Sequence, residues 1–201
     1  YDGPASLQDA TMEDLEAAGE SFRDFTLKHC VDTQIQVNGD DCHVYDTNVN
    51  HTRQWSSTFM PPIASTPVAY FDFEGIAEIT VTVPEIELDS VKISPVSYGI
   101  EPIVDKEEHR VTFIVDQQDT YTLTFNNSPE RAVHIFANPL ETEIPSPEDE
   151  NVVYIGPGEW DIETIILEDG QTLYIAGGAV VHGIVNANYA KDITVRGRGI
   201  I

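Results

Sequence analysis

The 201-residue sequence predicts an all-β protein built from two parts. Residues 31–137 contain short runs in which apolar and polar residues alternate, and residues 151–201 contain a motif that returns every twenty residues. Alternation with period two is typical of strands that bury one face, and a short repeat of fixed length is typical of stacked structural units.

The first part of the chain predicts a β-sandwich. In "IAEITVTV", Ile79, Val81 and Val83 alternate with glutamate and threonine, and "TYTLTFN" places Tyr121 and Leu123 on the face opposite its threonines. Further runs of strand composition are "QIQVN", "PVAYFDF", "SVKISPVSY", "HRVTFIV" and "RAVHIFA", separated by turn-rich pieces such as "NGDD". This spacing predicts half-buried antiparallel strands that form an immunoglobulin-like β-sandwich over residues 31–138.

The second part carries the repeat. "NVVYIGPGEW" at residue 151 returns as "QTLYIAGGAV" at residue 171 and, less clearly, as "KDITVRGRGI" at residue 191. At this offset Ile155 aligns with Ile175 and then with Val195, and Val180 aligns with Ile200. Twenty residues fit one coil of a parallel β-helix, with three short strands and tight turns. Residues 151–201 therefore predict the first coils of a parallel β-helix, truncated in mid-coil.

In such coils Ile155, Ile175 and Val195 form the clearest ladder of inward side chains. Glycines permit the sharp corners, where positive φ is easy only for glycine; they are Gly156, Gly158, Gly177, Gly178, Gly183, Gly197 and Gly199. The alternative is a stack of antiparallel hairpins that continues the sandwich. An open coil end exposes unpaired strand edges and apolar groups. We therefore expect the chain to associate with another copy of itself through this end.

Two further segments complete the division of the chain. Residues 1–30 predict an N-terminal arm or a short helix, because apolar residues recur at steps of three and four in Met12, Leu15, Ala18, Phe22 and Phe25. Residues 139–150 combine three prolines with acidic residues and lack apolar periodicity, which predicts a linker. The order is arm, sandwich, linker and coils.

Charge limits the partners of the chain. The formal net charge is −25, from 35 acidic and 10 basic residues, so the surface repels phosphate backbones and anionic lipid headgroups. Neither nucleic acid nor a membrane is an expected partner, and no apolar run is long enough to cross a bilayer. The six histidines lack metal-ligand spacing and no phosphate-binding loop is present, so the sequence predicts no metal and no cofactor.

The two cysteines and the first residue bear on the compartment. The spacing of Cys30 and Cys42 fits neither a metal site nor a redox pair, and leaves open a disulfide in an exported protein or two thiols. Tyr1 in place of Met fits a processed secretory chain as well as a trimmed one. The expected location is extracellular or periplasmic.

Several of these pieces together resemble a known group of enzymes. An all-β sandwich, "RAVHIFANPLE", an acidic proline linker, "DGQTLYIAGGAVVHG" and "ITVRGRGII" follow one another in the chain. This order resembles the N-terminal half of bacterial glycoside hydrolases with a right-handed parallel β-helix, the dextranase-like, isopullulanase-like and polygalacturonase-like enzymes. The resemblance extends from about residue 34 to residue 201 and includes only the opening coils of the helix.

The resemblance implies a polysaccharide-degrading parent protein. In those families a cluster of aspartates in the middle coils hydrolyses the glycosidic bond, usually with inversion. No catalytic residue can be matched in this chain, so the active site is expected beyond residue 201 and the 201-residue piece is expected to be inactive alone. Asp169 and Asp192 are interpreted as corner residues of the coils. The alternative function is a non-catalytic carbohydrate-binding or structural, oligomerising β module.

One loop is the candidate substrate-binding site. "NVNHTRQWSSTFMPPIAS" carries His51, Arg53 and Trp55 between two predicted strands, and sugar sites combine aromatic faces with hydrogen-bonding groups. The alternative interpretation is that Trp55 and Phe59 pack the sandwich against the coils of the helix. The expected ligand is a polysaccharide or an oligosaccharide.

Overall fold

The computed structural model describes residues 27–48 and 65–201. All regular elements in these ranges are β-strands except a single 3-10 turn at Val96–Tyr98, so the all-β prediction is confirmed. The described residues divide into two compact units, one that ends at Leu140 and one that extends from Glu141 to Ile201. The predicted arm lies outside the described residues except at its last few positions.

The N-terminal unit, up to Leu140, forms two sheets. Its described strands are β1 (Lys28–His29), β2 (Gln34–Val37), β3 (Asp40–Cys42), β4 (Val44–Asn48), β5 (Ser65–Phe73), β6 (Ala77–Thr82), β7 (Val91–Ser94), β8 (Ile103–Asp105), β9 (Arg110–Val115), β10 (Asp119–Phe125) and β11 (Ser128–Pro139). The six-stranded sheet has the order β1-β4-β5-β11-β10-β7, and the five-stranded sheet has the order β3-β2-β6-β9-β8. Each run that alternation predicted as a strand contains one, but "SVKISPVSY" is a strand only at Val91–Ser94 and forms a 3-10 turn at Val96–Tyr98. β11 reaches Pro139, the first residue of the predicted linker.

Alternation directs apolar side chains of both sheets into one shared core. On β6, Ile79 and Val81 are fully buried while Glu78 between Ala77 and Ile79 is exposed. On β10 of the other sheet, Tyr121 and Leu123 are buried, and they belong to the same hydrophobic cluster as the β6 residues. Full burial of one such side chain contributes about 1.5–3 kcal/mol, so this shared core is the main source of stability in the unit.

One pairing in the six-stranded sheet is parallel, which corrects the prediction of antiparallel strands throughout. β5 and β11 run in the same direction, from Val68 opposite His134 to Phe73 opposite Pro139. The other described pairs of this unit are antiparallel. Alternation could not reveal this difference, because period two reports which face of a strand is buried and not the direction of its neighbour.

The C-terminal unit is built from parallel strands. They are β12 (Val152–Ile155), β13 (Gly158–Ile166), β14 (Thr172–Ile175), β15 (Ala179–Asn186) and β16 (Thr194–Gly197). β12, β14 and β16 pair in parallel in one sheet, and β13 pairs in parallel with β15 in another. Successive passes of the chain through each sheet therefore run in the same direction, which excludes the antiparallel hairpin stack for these strands.

The register of these strands confirms the repeat in its first step and corrects it in the second. Ile155 lies opposite Ile175, at the predicted offset of twenty residues. Ile175, however, lies opposite Gly197 rather than Val195, at an offset of twenty-two. The third member of the predicted ladder is therefore wrong, and Val195 instead lies opposite Leu173.

Two additional residues in one corner explain the shift. Ile166 lies opposite Asn186 at an offset of twenty, but Thr172 lies opposite Thr194 at an offset of twenty-two. The extra residues therefore lie between Asn186 and Thr194, in the segment that we call the long corner, residues 187–193. The predicted alignment of Val180 with Ile200 is confirmed by a parallel bridge, so the next corner is shorter by the same number of residues.

Gly183 lies inside β15 and not at a corner, which corrects its predicted role. It lies opposite Ile162, next to a register shift between Ile162 and Thr164. A Cβ at Gly183 would lie 2.0 Å from the carbonyl oxygen of Ile162. The glycine is therefore needed for the close approach of two strands.

Inward side chains of both parallel sheets form a second hydrophobic core. Its buried members are Ile155, Ile165, Leu167, Leu173, Ile175, Ala179 and Val181. On the outside of the β12-β14-β16 sheet, Tyr154 stacks on Tyr174 with ring centroids 5.1 Å apart. Neighbouring parallel strands of this unit are therefore stabilised by contacts between inward aliphatic side chains and by one outward aromatic pair.

The first residues after Leu140 dock on the same outer surface. The Tyr174 hydroxyl donates to a carboxylate oxygen of Glu141 at 2.9 Å. Arg196 donates from Nη2 to the Thr142 carbonyl oxygen at 2.7 Å, and its Nη1 lies 3.9 Å from Glu143 Oε2. This part of the predicted linker therefore contacts strands β14 and β16 of the C-terminal unit.

The described residues show the state of the two cysteines. Cys30 and Cys42 are free thiols, and burial raises the pKa of Cys30 to about 12, with further contributions from Asp32. The protonated Cys30 thiol is therefore a poor nucleophile at neutral pH. Across residues 27–48 and 65–201, no helix is long and apolar enough to span a membrane.

Candidate functional site

The predicted substrate-binding residues lie outside the described part of the chain. His51, Arg53 and Trp55 belong to the segment between Asn48 and Ser65, for which no placement is described. The strands on either side, β4 and β5, pair antiparallel in the six-stranded sheet. The binding role of these three side chains therefore stays a prediction.

A group of rings lies on and beside the strands that flank this loop. Tyr45 of β4 stacks on Tyr70 of β5, with centroids 5.9 Å apart and planes 8° apart. His43 meets Tyr45 edge-on at 4.5 Å, and the His29 ring lies 4.8 Å from His43. We call these four residues, His29, His43, Tyr45 and Tyr70, the ring cluster.

Strand alternation places the ring cluster on the outer face of the six-stranded sheet. Val44 and Ala69 point into the shared core and are almost completely buried. Tyr45 and Tyr70 follow them directly in sequence, so they project from the opposite face. His29 joins them because it lies opposite Tyr45 in the β1-β4 pair.

The ring cluster is a packed element. Tyr45 is 1% exposed and Tyr70 is 8% exposed, so neither tyrosine has a ring face open to solvent. Burial raises the pKa of the Tyr45 hydroxyl, and the neighbouring Tyr70 raises it further. Both effects keep the phenol neutral, so in this arrangement Tyr45 stabilises the sheet and does not act as a proton donor.

His134 extends the same surface toward the middle of the sheet. It lies opposite Val68 on one side and Thr122 on the other, and its Nδ1 lies 2.9 Å from the Thr122 hydroxyl. Burial lowers the pKa of His134 from its ordinary value of 6.5. The imidazole is therefore neutral at pH 7, where it can exchange a hydrogen bond with Thr122 without carrying charge.

The lowered pKa of His134 predicts a pH dependence of stability. The unfolded chain binds a proton at this position more readily than the folded one, so the stabilisation is complete above about pH 6.5 and declines as pH falls below it. We expect the free energy of unfolding of the wild type to fall more steeply between about pH 7 and 5.5 than that of His134→Gln. Urea titrations at several pH values measure this; parallel curves for the two proteins would contradict it.

A carboxylate and an imidazole from successive rows meet on the outside of the β13-β15 sheet. Glu159 Oε1 lies 2.9 Å from His182 Nε2, and both side chains are partly buried. Asp161 lies directly opposite His182 in the parallel pair. The pair can share a proton and bind hydroxyl groups through its remaining polar atoms. No cluster of three or more metal-ligating side chains is found in residues 27–48 and 65–201.

An open apolar cavity of about 350 Å³ lies in the first row of the C-terminal unit. Its lining residues are Val153, Tyr154, Ile155, Trp160, Ile162, Ile165 and Ile166. The Trp160 indole donates to the Gly156 carbonyl oxygen at 2.9 Å and remains 43% exposed. The tryptophan thus lines the cavity and leaves part of its ring in solvent.

Acidic residues at the coil corners have the structural role expected of them. Asp169 accepts a hydrogen bond from the Lys191 backbone amide at 2.8 Å, which joins two successive corners. Asp192 has a φ of 56°, as a corner residue does. The interpretation of these two aspartates as corner residues is confirmed.

Sequence reasoning missed the ring cluster and the Glu159–His182 pair. The ring cluster combines residues from positions 29 to 70, and only the strand pairing brings them together. Glu159 and His182 are twenty-three residues apart, which is close to the repeat length. An alignment of polar as well as apolar positions at that spacing is the signal that identifies such pairs.

Comparison with known proteins supports the class of fold. No protein-family model matches the chain, and no curated protein sequence matches it. Among solved structures, Dex49A from Penicillium minioluteum is similar over 79% of this chain, with a TM-score of 0.55 and 15% sequence identity. The chain spans 43% of the length of that structure. This likeness shows a similar fold and supports the all-β class of the chain.

Proposed function

We propose that the chain is the N-terminal portion of a polysaccharide-degrading glycoside hydrolase whose active site lies beyond residue 201. In this proposal residues 31–138 are an immunoglobulin-like β-sandwich and residues 151–201 are the opening coils of a right-handed parallel β-helix. The sandwich caps or shapes the helix, and the enzyme acts outside the cell or in the periplasm. Its partner is a polysaccharide or an oligosaccharide.

The observation that carries the proposal is the parallel pairing in the C-terminal unit. Three rows succeed one another at offsets of twenty and twenty-two residues, as consecutive coils of a β-helix do. Two sheets with one shared core precede them, as in a sandwich. The similarity to Dex49A over 79% of the chain, with a TM-score of 0.55, supports a shared fold.

The described acids support a role for this piece other than catalysis. Inverting glycosidases hold two carboxyl groups about 6.5–9.5 Å apart across the scissile bond. Here Asp169 accepts a hydrogen bond from a backbone amide and Glu159 is paired with His182. In this proposal hydrolysis is carried out by residues beyond this sequence.

A polysaccharide assay tests the proposed function. The complete protein encoded by the gene is incubated with dextran, pullulan and polygalacturonate in parallel, and new reducing ends are measured. We expect release from at least one polymer, and no release from the 201-residue chain under the same conditions. A complete protein that releases reducing ends from none of them would contradict the enzyme proposal and favour a binding module.

A structural, oligomerising module is the second candidate, and the edge of β16 favours it. β16 is the last strand of its sheet in the described residues, and Val195 and Ile201 are about half exposed beside it. Unpaired parallel edges with apolar neighbours invite pairing with another copy. Sedimentation velocity of the 201-residue chain distinguishes the candidates: a concentration-dependent dimer supports the module, and a monomer at all concentrations contradicts it.

A further inference from the structure

The long corner presents one aromatic ring entirely to solvent. Tyr189, in the middle of residues 187–193, is 100% exposed. Its φ is 67°, in the left-handed region that bulky residues rarely adopt. Residues with large side chains occupy this region only at an energetic cost, and such strain is concentrated at functional sites.

The corner that carries this ring is held firmly at its base. The Ala190 amide donates to the Ala187 carbonyl oxygen at 3.1 Å, and the Asn188 amide donates to the Asn186 side chain at 3.1 Å. Lys191 is bound to the preceding corner through both its amide and its carbonyl group, at Asp169 and Gly170. The strained conformation is therefore imposed by an ordered frame that projects the ring outward.

The same corner contains the two residues that break the regular repeat. The offset between rows is twenty residues where Ile166 meets Asn186 and twenty-two where Thr172 meets Thr194. A corner of regular length would join the two strands without this extension. The extension lies between Asn186 and Thr194, and Tyr189 and Asp192 of this corner both have a positive φ. The Tyr189 side chain is fully exposed, so no packing contact of this ring in the described residues offsets the strain.

We propose that Tyr189 is an aromatic contact point for an uncharged polysaccharide chain. This inference rests on the proposed function for the class of ligand. An exposed tyrosine supplies a rigid apolar face with a polar tip, which suits a sugar ring that carries both C–H and hydroxyl groups. The net charge of −25 disfavours an anionic polymer, and the corner itself carries one cation, Lys191, and one anion, Asp192.

Three substitutions at this position separate the ring from the backbone strain. Tyr189→Phe keeps the ring and the strain, Tyr189→Ala removes only the ring, and Tyr189→Asn removes the ring and tolerates the left-handed conformation. Binding of the 201-residue chain to dextran and pullulan is measured by affinity electrophoresis, with polygalacturonate as the anionic comparison. The melting temperature of each variant is measured in parallel.

We expect the wild type and Tyr189→Phe to bind a neutral glucan and not polygalacturonate. Tyr189→Ala should weaken binding about three- to tenfold at an unchanged melting temperature. Tyr189→Asn should weaken binding equally while the melting temperature rises by about 1–4 °C.

Equal glucan binding by the wild type and Tyr189→Ala would overturn the inference, and so would no binding by the wild type. A change in self-association on Tyr189→Ala with glucan binding unaltered would overturn it as well, and would assign the ring to a protein contact. The hydrolysis assay on the complete protein is independent of all these outcomes. Failure of the Tyr189 inference is therefore distinguishable from failure of the proposed function.

Discussion

Gly197→Ala is expected to separate the third row of the C-terminal unit from the second. A Cβ at this position would lie 1.9 Å from the carbonyl oxygen of Ile175, the residue directly opposite in the parallel pair. The φ of Gly197 is 130°, which side chains rarely adopt. Steric overlap with backbone and conformational strain add together, so we expect a loss of at least about 3 kcal/mol in the stability of this row.

Hydrogen exchange measures this loss locally. The amides of Thr194 and Arg198 donate to the carbonyl oxygens of Gln171 and Ile175, so their protection reports whether the third row is paired. Gly170→Ala is the matched control, because Gly170 also has a positive φ but no atom lies within 4 Å of the position that a Cβ would occupy there. The control should lose about 1–2 kcal/mol. Equal protection in Gly197→Ala and the wild type would contradict the described register.

Phe113→Ala is expected to destabilise the N-terminal unit by about 3–5 kcal/mol. Phe113 lies on β9 of the five-stranded sheet, is 2% exposed, and its ring centroid lies 6.5 Å from that of Tyr121 on the other sheet. Truncation therefore leaves a cavity between the sheets, where neighbouring side chains can collapse only in part. Urea denaturation monitored by circular dichroism gives the change in free energy.

The neighbouring residue supplies the control for Phe113. Ile114 is 59% exposed, because alternation directs it to the opposite face of the same strand. Ile114→Ala should change the free energy of unfolding by no more than about 0.5 kcal/mol. Similar losses for the two variants would show that the two sheets do not share the core through this face.

The sequence alone was sufficient to predict seven of the eleven described strands of the N-terminal unit and the stacking direction of the repeat. Alternation identified β6 and β10 because each buries one face, and the return of "YI" twenty residues later identified the pairing of Ile155 with Ile175. Both signals depend on side chains that face a core, and such side chains recur at regular positions in the sequence. The direction of a neighbouring strand in the N-terminal unit leaves no such pattern in the sequence. The parallel pairing of β5 with β11 was missed for that reason.

The third row shows why a fixed period was not enough. Corners can lengthen without disturbing the strands, because most of a corner lies at the surface. Two residues added between Asn186 and Thr194 shifted Val195 out of the predicted ladder and brought Gly197 opposite Ile175. The close approach at Gly197 depends on backbone spacing, which a single sequence does not display.

The candidate site was less predictable than the fold. His51, Arg53 and Trp55 were chosen for their chemistry in a long loop, and this loop lies outside the described residues. The ring cluster and the Glu159–His182 pair form only after strand pairing, so their members are far apart in sequence. Tyr189 had no distinguishing neighbours in the sequence, and its backbone conformation and exposure single it out.

The central claim is that successive rows of residues 152–197 lie side by side in parallel. Nuclear Overhauser contacts between strands in solution test it most directly. We predict that Leu173 contacts both Val153 and Val195, in the pattern of parallel neighbours on each side. Antiparallel contacts between strands adjacent in sequence, with none between Val153 and Leu173, would contradict the claim and the glycoside hydrolase proposal with it.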